Sequence, residues 1–155
     1  MLSTPNLQLA IADFLANPDY RPCLLLVHPQ IRRLTGAVNE LLSTVGWPHL
    51  SVGRELAAVL LSELPQRRPR TARRWMASQL GQMAPGPVSC TEIDLLFEPT
   101  LELDPLGLLR DVSRVTRLVV AWPGSCADDV LAYAAPGHSH YRTWRKPHVS
   151  VAVLE

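Results

Sequence analysis

Residues 22–44, PCLLLVHPQIRRLTGAVNELLST, contain the change of period that decides the fold. Cys23-Leu24-Leu25-Leu26-Val27 is an unbroken apolar run of strand length, the pattern of a strand buried on both faces in a parallel sheet. His28-Pro29-Gln30 reads as a turn. Beyond it, Ile31, Leu34, Val38, Leu41, Leu42 and Val45 recur at helical spacing. The segment is therefore strand, tight loop, helix.

That order is also the frame of a phosphate-binding loop, which carries the signature GxxxxGK[ST]. Its glycines let backbone N–H groups wrap the phosphates, and its lysine neutralises them. Aligned on the end of the strand, the chain offers His28-Pro29-Gln30-Ile31-Arg32-Arg33-Leu34-Thr35. Histidine and arginine stand at the two glycine positions, and leucine stands where the lysine belongs. Thr35 alone matches by type. The frame is present without its chemistry, and leucine removes the charge that would follow the β- and γ-phosphates. Arg32 and Arg33 read as solvated side chains, although positive charge in a first turn opposes the helix dipole.

Outward from this unit, strands and helices alternate. Leu7, Ile11, Phe14 and Leu15 keep helical spacing, with Ser3 or Thr4 as cap and a stop near Asn17-Pro18. Gly46-Trp47-Pro48 closes the central helix, His49 to Val52 suits a short edge strand, and Glu55 to Leu64 a helix. Gln66 to Thr71 reads as a polar connector, followed by a helix over Thr71 to Met83. Val88 to Phe97 looks like a strand running into a loop. Asp104 and Pro105 start another helix. Leu118 to Trp122 is a second continuous apolar strand, expected to end at Pro123-Gly124. Val130 to Ala134 and His148 to Leu154 are late strand candidates. The alternation predicts a single α/β domain over residues 1–155, with a mainly parallel sheet of about five strands and helices on both faces; the order of elements from residue 22 onward makes that frame P-loop NTPase-like.

Composition narrows the function classes. With 155 residues and 47% hydrophobic content, the chain can bury a real core. A net charge of +1 gives no global pull toward nucleic acid or membrane, so any such contact must be a local patch. No apolar run approaches the roughly 20 residues of a membrane span, and the N-terminus lacks the basic start of a secretory signal. Cys23, Cys90 and Cys126 read as reduced core thiols of a cytoplasmic protein.

The local patch is conspicuous. Arg67, Arg68, Arg70, Arg73 and Arg74 place five of the fifteen cationic residues within eight positions, with Trp75 directly after them. Such a run suits an acidic protein surface or nucleic-acid phosphates, and Trp75 reads as core or interface rather than as a platform for a base. His138, His140 and His148 with Cys126 fit no compact zinc spacing, so no metal is expected. Ser125 or Cys126 with His138 lacks the third member of a catalytic triad.

A magnesium-binding acid would close the second apolar strand of a P-loop ATPase. Here Val88-Ser89-Cys90 leads to Thr91 at that position, with Glu92 one residue late and Asp94 three late. A one-residue slip turns a side chain to the other face, so Glu92 substitutes only where the backbone bulges. The later stretches Ile93-Asp94-Leu95-Leu96-Phe97-Glu98-Pro99, Ala121-Trp122-Pro123-Gly124 and Ala134-Ala135-Pro136-Gly137-His138 resemble BrxF, the small P-loop protein family of BREX phage-defence systems. The resemblance covers about 120 residues, from the first core strand to the last, and its specificity lies in the second half. It implies a small P-loop domain working beside larger components: a modification methyltransferase, a PglZ-type phosphatase-like protein and a large ATPase. DNA would be met through that complex, and self-association is compatible with it. The family's nucleotide positions fall on His28, Arg33, Leu34 and Thr91, so ATP and magnesium are not expected as cofactors here. The expectation is a catalytically inactive structural or regulatory subunit; the alternative is an accessory ATPase of the same system that binds nucleotide or nucleic acid.

Overall fold

Cys23–His28 is a strand, β1, and every residue from Cys23 to Val27 is buried. The computed structural model describes residues 4–17 and 21–154. In chain order its elements are α1 (Thr4–Ala16), β1, α2 (Ile31–Val45), β2 (His49–Ser51), α3 (Val52–Leu61), α4 (Arg68–Gly81), β3 (Val88–Thr91), α5 (Pro105–Ser113), β4 (Leu118–Ala127), β5 (Val130–Tyr133), β6 (Arg142–Arg145) and β7 (Ser150–Val153). Short 3-10 helices at Pro65–Arg67, Ile93–Phe97 and Pro99–Leu101 punctuate the connections. The cap reading at Ser3 and the stop at Pro18 lie outside the described residues.

Five strands run parallel in the order β2-β3-β4-β1-β7, so β1 is interior and β4 stands between it and β3. The central apolar run follows from this position. Cys23, Leu25 and Val27 enter the core shared with α3, α4 and α5, whereas Leu24 and Leu26 enter a second core under α1 and α2. Alternate residues of a strand point to opposite faces, so a sheet covered on both sides needs apolar residues at every position. Each fully buried leucine contributes about 1.5–3 kcal/mol. Gly46 ends α2 in the left-handed conformation at φ 67°, with its N–H on the Leu42 carbonyl. The mainly parallel α/β sheet expected from the alternation is present, with helices on both faces, but among the described residues it has seven strands rather than about five, because β5 and β6 extend it beyond the parallel set. No helix among the described residues is long and apolar enough to cross a membrane.

Four local expectations change. β4 does not end at Pro123-Gly124 but continues to Ala127 and pairs with β5, which pairs with β6, both antiparallel. At Pro123 the neighbour changes: its carbonyl accepts the Ala134 N–H at 2.9 Å. The polar connector at Gln66–Thr71 is instead a 3-10 turn and the start of α4, polar because it faces solvent. β6, sequence RTWR, lacks an apolar run and gave no strand signal; Trp144 anchors it, packed edge-on to Trp122 and Phe97. β3 stops at Thr91 because Glu92 takes φ 54°, a left-handed conformation that costs a non-glycine residue about 1 kcal/mol.

Cys23 and Cys90 are free and fully buried. Burial pushes the Cys23 thiol up to about 12 and raises Cys90 further, so neither forms a thiolate near neutral pH.

Candidate functional site

The loop after β1 is short. Only Pro29 and Gln30 separate the strand from α2, so Ile31, Arg32 and Arg33 are already helical. The Gln30 carbonyl accepts the N–H groups of Arg33 (3.1 Å) and Leu34 (3.2 Å), which starts the helix. The turn is tied locally: Gln30 N–H donates to His28 Nδ1 at 2.9 Å, and Arg33 Nε donates to Gln30 Oε1 at 3.2 Å. Residues that would wrap a phosphate in an open loop instead form the first turn of a helix.

At the carboxyl edge of the sheet, α2 faces the ends of β2, β3 and β4 across a cleft of about 260 Å³. Ile31, Leu34, Thr35, Val38 and Asn39 of α2 form one wall, and His49, Thr91, Glu92 and Asp94 the other, with Ala121 and Pro123 of β4 completing the lining. The structure thus brings Leu34 and Thr35 together with Thr91, Glu92 and Asp94, although more than fifty residues separate the two groups in sequence. His28, Arg32 and Arg33 do not line the cleft, and Arg32 extends into solvent.

The left-handed turn at Glu92 supplies the bulge that a late acid needs. It is braced from the start of α3: the Gly53 N–H donates to the Glu92 carbonyl at 2.8 Å, and a Cβ on Gly53 would sit 2.8 Å from that oxygen. The Ser51 hydroxyl donates to Glu92 Oε2. His49 Nε2 and Thr91 Oγ1 lie 2.7 Å apart, and the Tyr133 hydroxyl donates to Asp94 Oδ1 at 2.6 Å. Burial, the Asp94 bond and the Asp94 charge together raise the Tyr133 phenol, which stays protonated as donor. Both acids are therefore held by neutral donors. No arginine or lysine lines the cleft, and its α2 wall is largely apolar. A polyphosphate entering would meet two carboxylates without a cation to offset them. Among the described residues no group of three or more His, Cys, Asp and Glu is arranged to hold a metal ion.

The arginine run forms a separate surface. Arg67 ends the 3-10 turn and the other four occupy the first two turns of α4. Ala72, Met76 and Leu80 face the core, so Arg67, Arg70, Arg73 and Arg74 are exposed. Arg68 is half-buried, its Nε on the Glu63 carbonyl at 3.2 Å. Trp75 is half-buried and packs against the larger core, as a core or interface residue would.

His49, Ser51 and Tyr133 were not readable as site residues. Their partners lie 42, 41 and 39 positions away and meet only once the strands pair and the β4–β5 hairpin folds back. The offset of His49 and Ser51 by two was the one available signal, since it puts both on the same face of a strand. No protein-family model, curated protein or solved structure matches this chain.

Proposed function

We propose that this chain is a P-loop-fold subunit without nucleotide chemistry, serving as a structural or regulatory partner in a BREX-like anti-phage complex. The observation that carries the first half is the cleft itself. Thr35 and the acids after β3 converge at the carboxyl edge of an interior strand, which is where ligands meet open α/β sheets. Yet the α2 wall of that cleft is largely apolar, the loop is wound into α2, and the lysine position is the buried Leu34. A fold kept without its catalytic groups is useful as a scaffold, and the exposed arginines of α4 give it a surface for other molecules. The defence half rests on the resemblance of the segments around Trp122-Pro123-Gly124 and Pro136-Gly137-His138.

Affinity purification of the tagged chain from cells expressing it with the neighbouring gene products tests the proposal. The larger methyltransferase, phosphatase-like and ATPase components are expected to co-purify whether or not ATP is present. Recovery of the chain without any of them, in both conditions, overturns the defence reading. Recovery that requires ATP favours the accessory-ATPase alternative.

A further inference from the structure

We propose that this chain pairs with a second copy of itself, the arginine corner at the start of α4 on each copy facing the acidic segment 92–104 of the other. The inference does not depend on the defence reading. It begins with a cost in the isolated molecule. The first turn of α4 contains no acidic residue, its cap position is Arg67, and no side chain caps its N–H groups. Clustered guanidinium groups at the positive end of a helix repel both one another and the dipole. Among the described residues, none of Arg67, Arg70, Arg73 and Arg74 makes an ion pair.

The complementary surface is on the same chain. Glu92, Asp94, Glu98, Glu102 and Asp104 are exposed or half-buried, and none pairs with a lysine or arginine among the described residues. Their partners are neutral donors or a weak contact: Ser51 for Glu92, Tyr133 for Asp94, Trp144 Nε1 for Asp104 at 3.0 Å, and His140 3.9 Å from Glu98. Arg142 lies beside Glu98 and Glu102 in a separate surface hollow, but its guanidinium is turned onto the Leu103 carbonyl at 2.9 Å and the Trp144 ring at 4.9 Å. Among the described residues, Glu63, whose carboxylate accepts the Thr71 hydroxyl at 3.1 Å, is the one acid placed at the arginine corner by these contacts, so two patches of opposite net sign coexist on one molecule without an arginine–carboxylate ion pair in either.

Their placement selects the symmetry. The 3-10 helix Pro99–Leu101 packs on α4, with Leu101 in the same core as Ala72 and Met76, so Glu98 and Glu102, which flank it, lie on a segment seated against the arginine-bearing helix. A two-fold axis between the two patches brings each arginine corner onto the other copy's acids, making two equal contacts in a closed dimer. Exposed apolar side chains accompany both patches: Leu61 (81% exposed) and Leu64 (52%) precede Arg67, and Tyr141 stands beside Glu98 and Glu102. They give the contact an apolar component that charge alone lacks. The same placement disfavours nucleic acid, since a phosphate backbone on the arginines would run toward the carboxylates of Glu98 and Glu102.

Charge reversal tests this with the full chain, by light scattering behind size exclusion and by sedimentation equilibrium. The wild type is expected to dimerise at about 100 µM protein and about 50 mM salt, and to weaken about tenfold or more toward about 500 mM. Arg70→Glu/Arg74→Glu and Glu98→Arg/Glu102→Arg, each shown to be folded by circular dichroism, are each expected to be monomeric. Mixed together they should form a 1:1 heterodimer, because both contacts are then again attractive. A wild type that stays monomeric at low salt, variants that still dimerise alone, or a mixture that stays monomeric each overturns the proposal. So does arginine-dependent binding of a duplex of about 20 base pairs by a monomeric protein. The salt series on the wild type stands even where a variant does not fold.

Discussion

Gly124→Ala is expected to destabilise the protein by about 3–5 kcal/mol, since an added Cβ would make a closer approach there than at Gly46, Gly53, Gly81, Gly86, Gly107 or Gly137. Gly124 pairs with Tyr133 across the antiparallel β4–β5 ladder, and a Cβ there would lie 1.9 Å from the Ala132 carbonyl oxygen. That atom is backbone and cannot swing aside. It also accepts the Trp122 Nε1–H at 2.9 Å, and the added methyl would come within 3.1 Å of the same indole nitrogen. Relief requires β4 and β5 to separate, which breaks the indole bond and loosens the aromatic cluster. Phe97 stacks on Tyr133 with centroids 3.6 Å apart and meets Trp122 edge-on at 5.2 Å. Urea denaturation followed by tryptophan fluorescence measures the loss. A change below about 1 kcal/mol would show that the two strands are not so close.

Leu34→Lys is expected to cost about 2–4 kcal/mol and to confer no phosphate binding. The substitution restores the lysine of the phosphate-loop signature, so a purely chemical view of the site predicts a gain. Leu34 is 4% exposed and packs in the core under α1 and α2 with Leu24, Leu26 and Val119. A lysine there forfeits that packing, and its ammonium is stabilised only by reaching toward the cleft. Even then, Ile31 to Arg33 remain helical and cannot turn their N–H groups around a phosphate. Denaturation gives the stability change, and calorimetric titration with inorganic phosphate gives the binding. Retained stability together with saturable phosphate binding would mean that the first turn of α2 opens readily.

The parallel sheet was legible because burial on two faces leaves an unmistakable mark: Cys23 to Val27 and Leu118 to Trp122 are apolar without interruption. The start of α2 was legible for a similar reason, since its buried Leu34, Ala37, Val38 and Leu41 obey one period. What sequence could not give was anything decided by a neighbour distant in the chain. Pro123-Gly124 has the composition of a strand end, yet β4 continues because β5 arrives there and needs a residue without a side chain. RTWR carries no periodic signal because Trp144 is its one apolar residue. Thr71 and the arginines before it looked like a linker, although a helix whose outer face is entirely solvated has the same composition. At the site, Thr91, Glu92 and Asp94 were identifiable by their position after β3. Their convergence with Thr35 depends on a left-handed residue at 92 that no residue type announces; glycine or asparagine would have signalled it.

We propose that the strand, turn and helix of a P-loop survive here without nucleotide chemistry. Titration of the purified wild-type chain with a fluorescent ATP analogue and magnesium tests it most directly. No saturable binding is expected up to about millimolar nucleotide, the range in which a phosphate site with a lysine and an open loop would be filled. Saturable binding in the micromolar range that disappears in Thr35→Ala would contradict it.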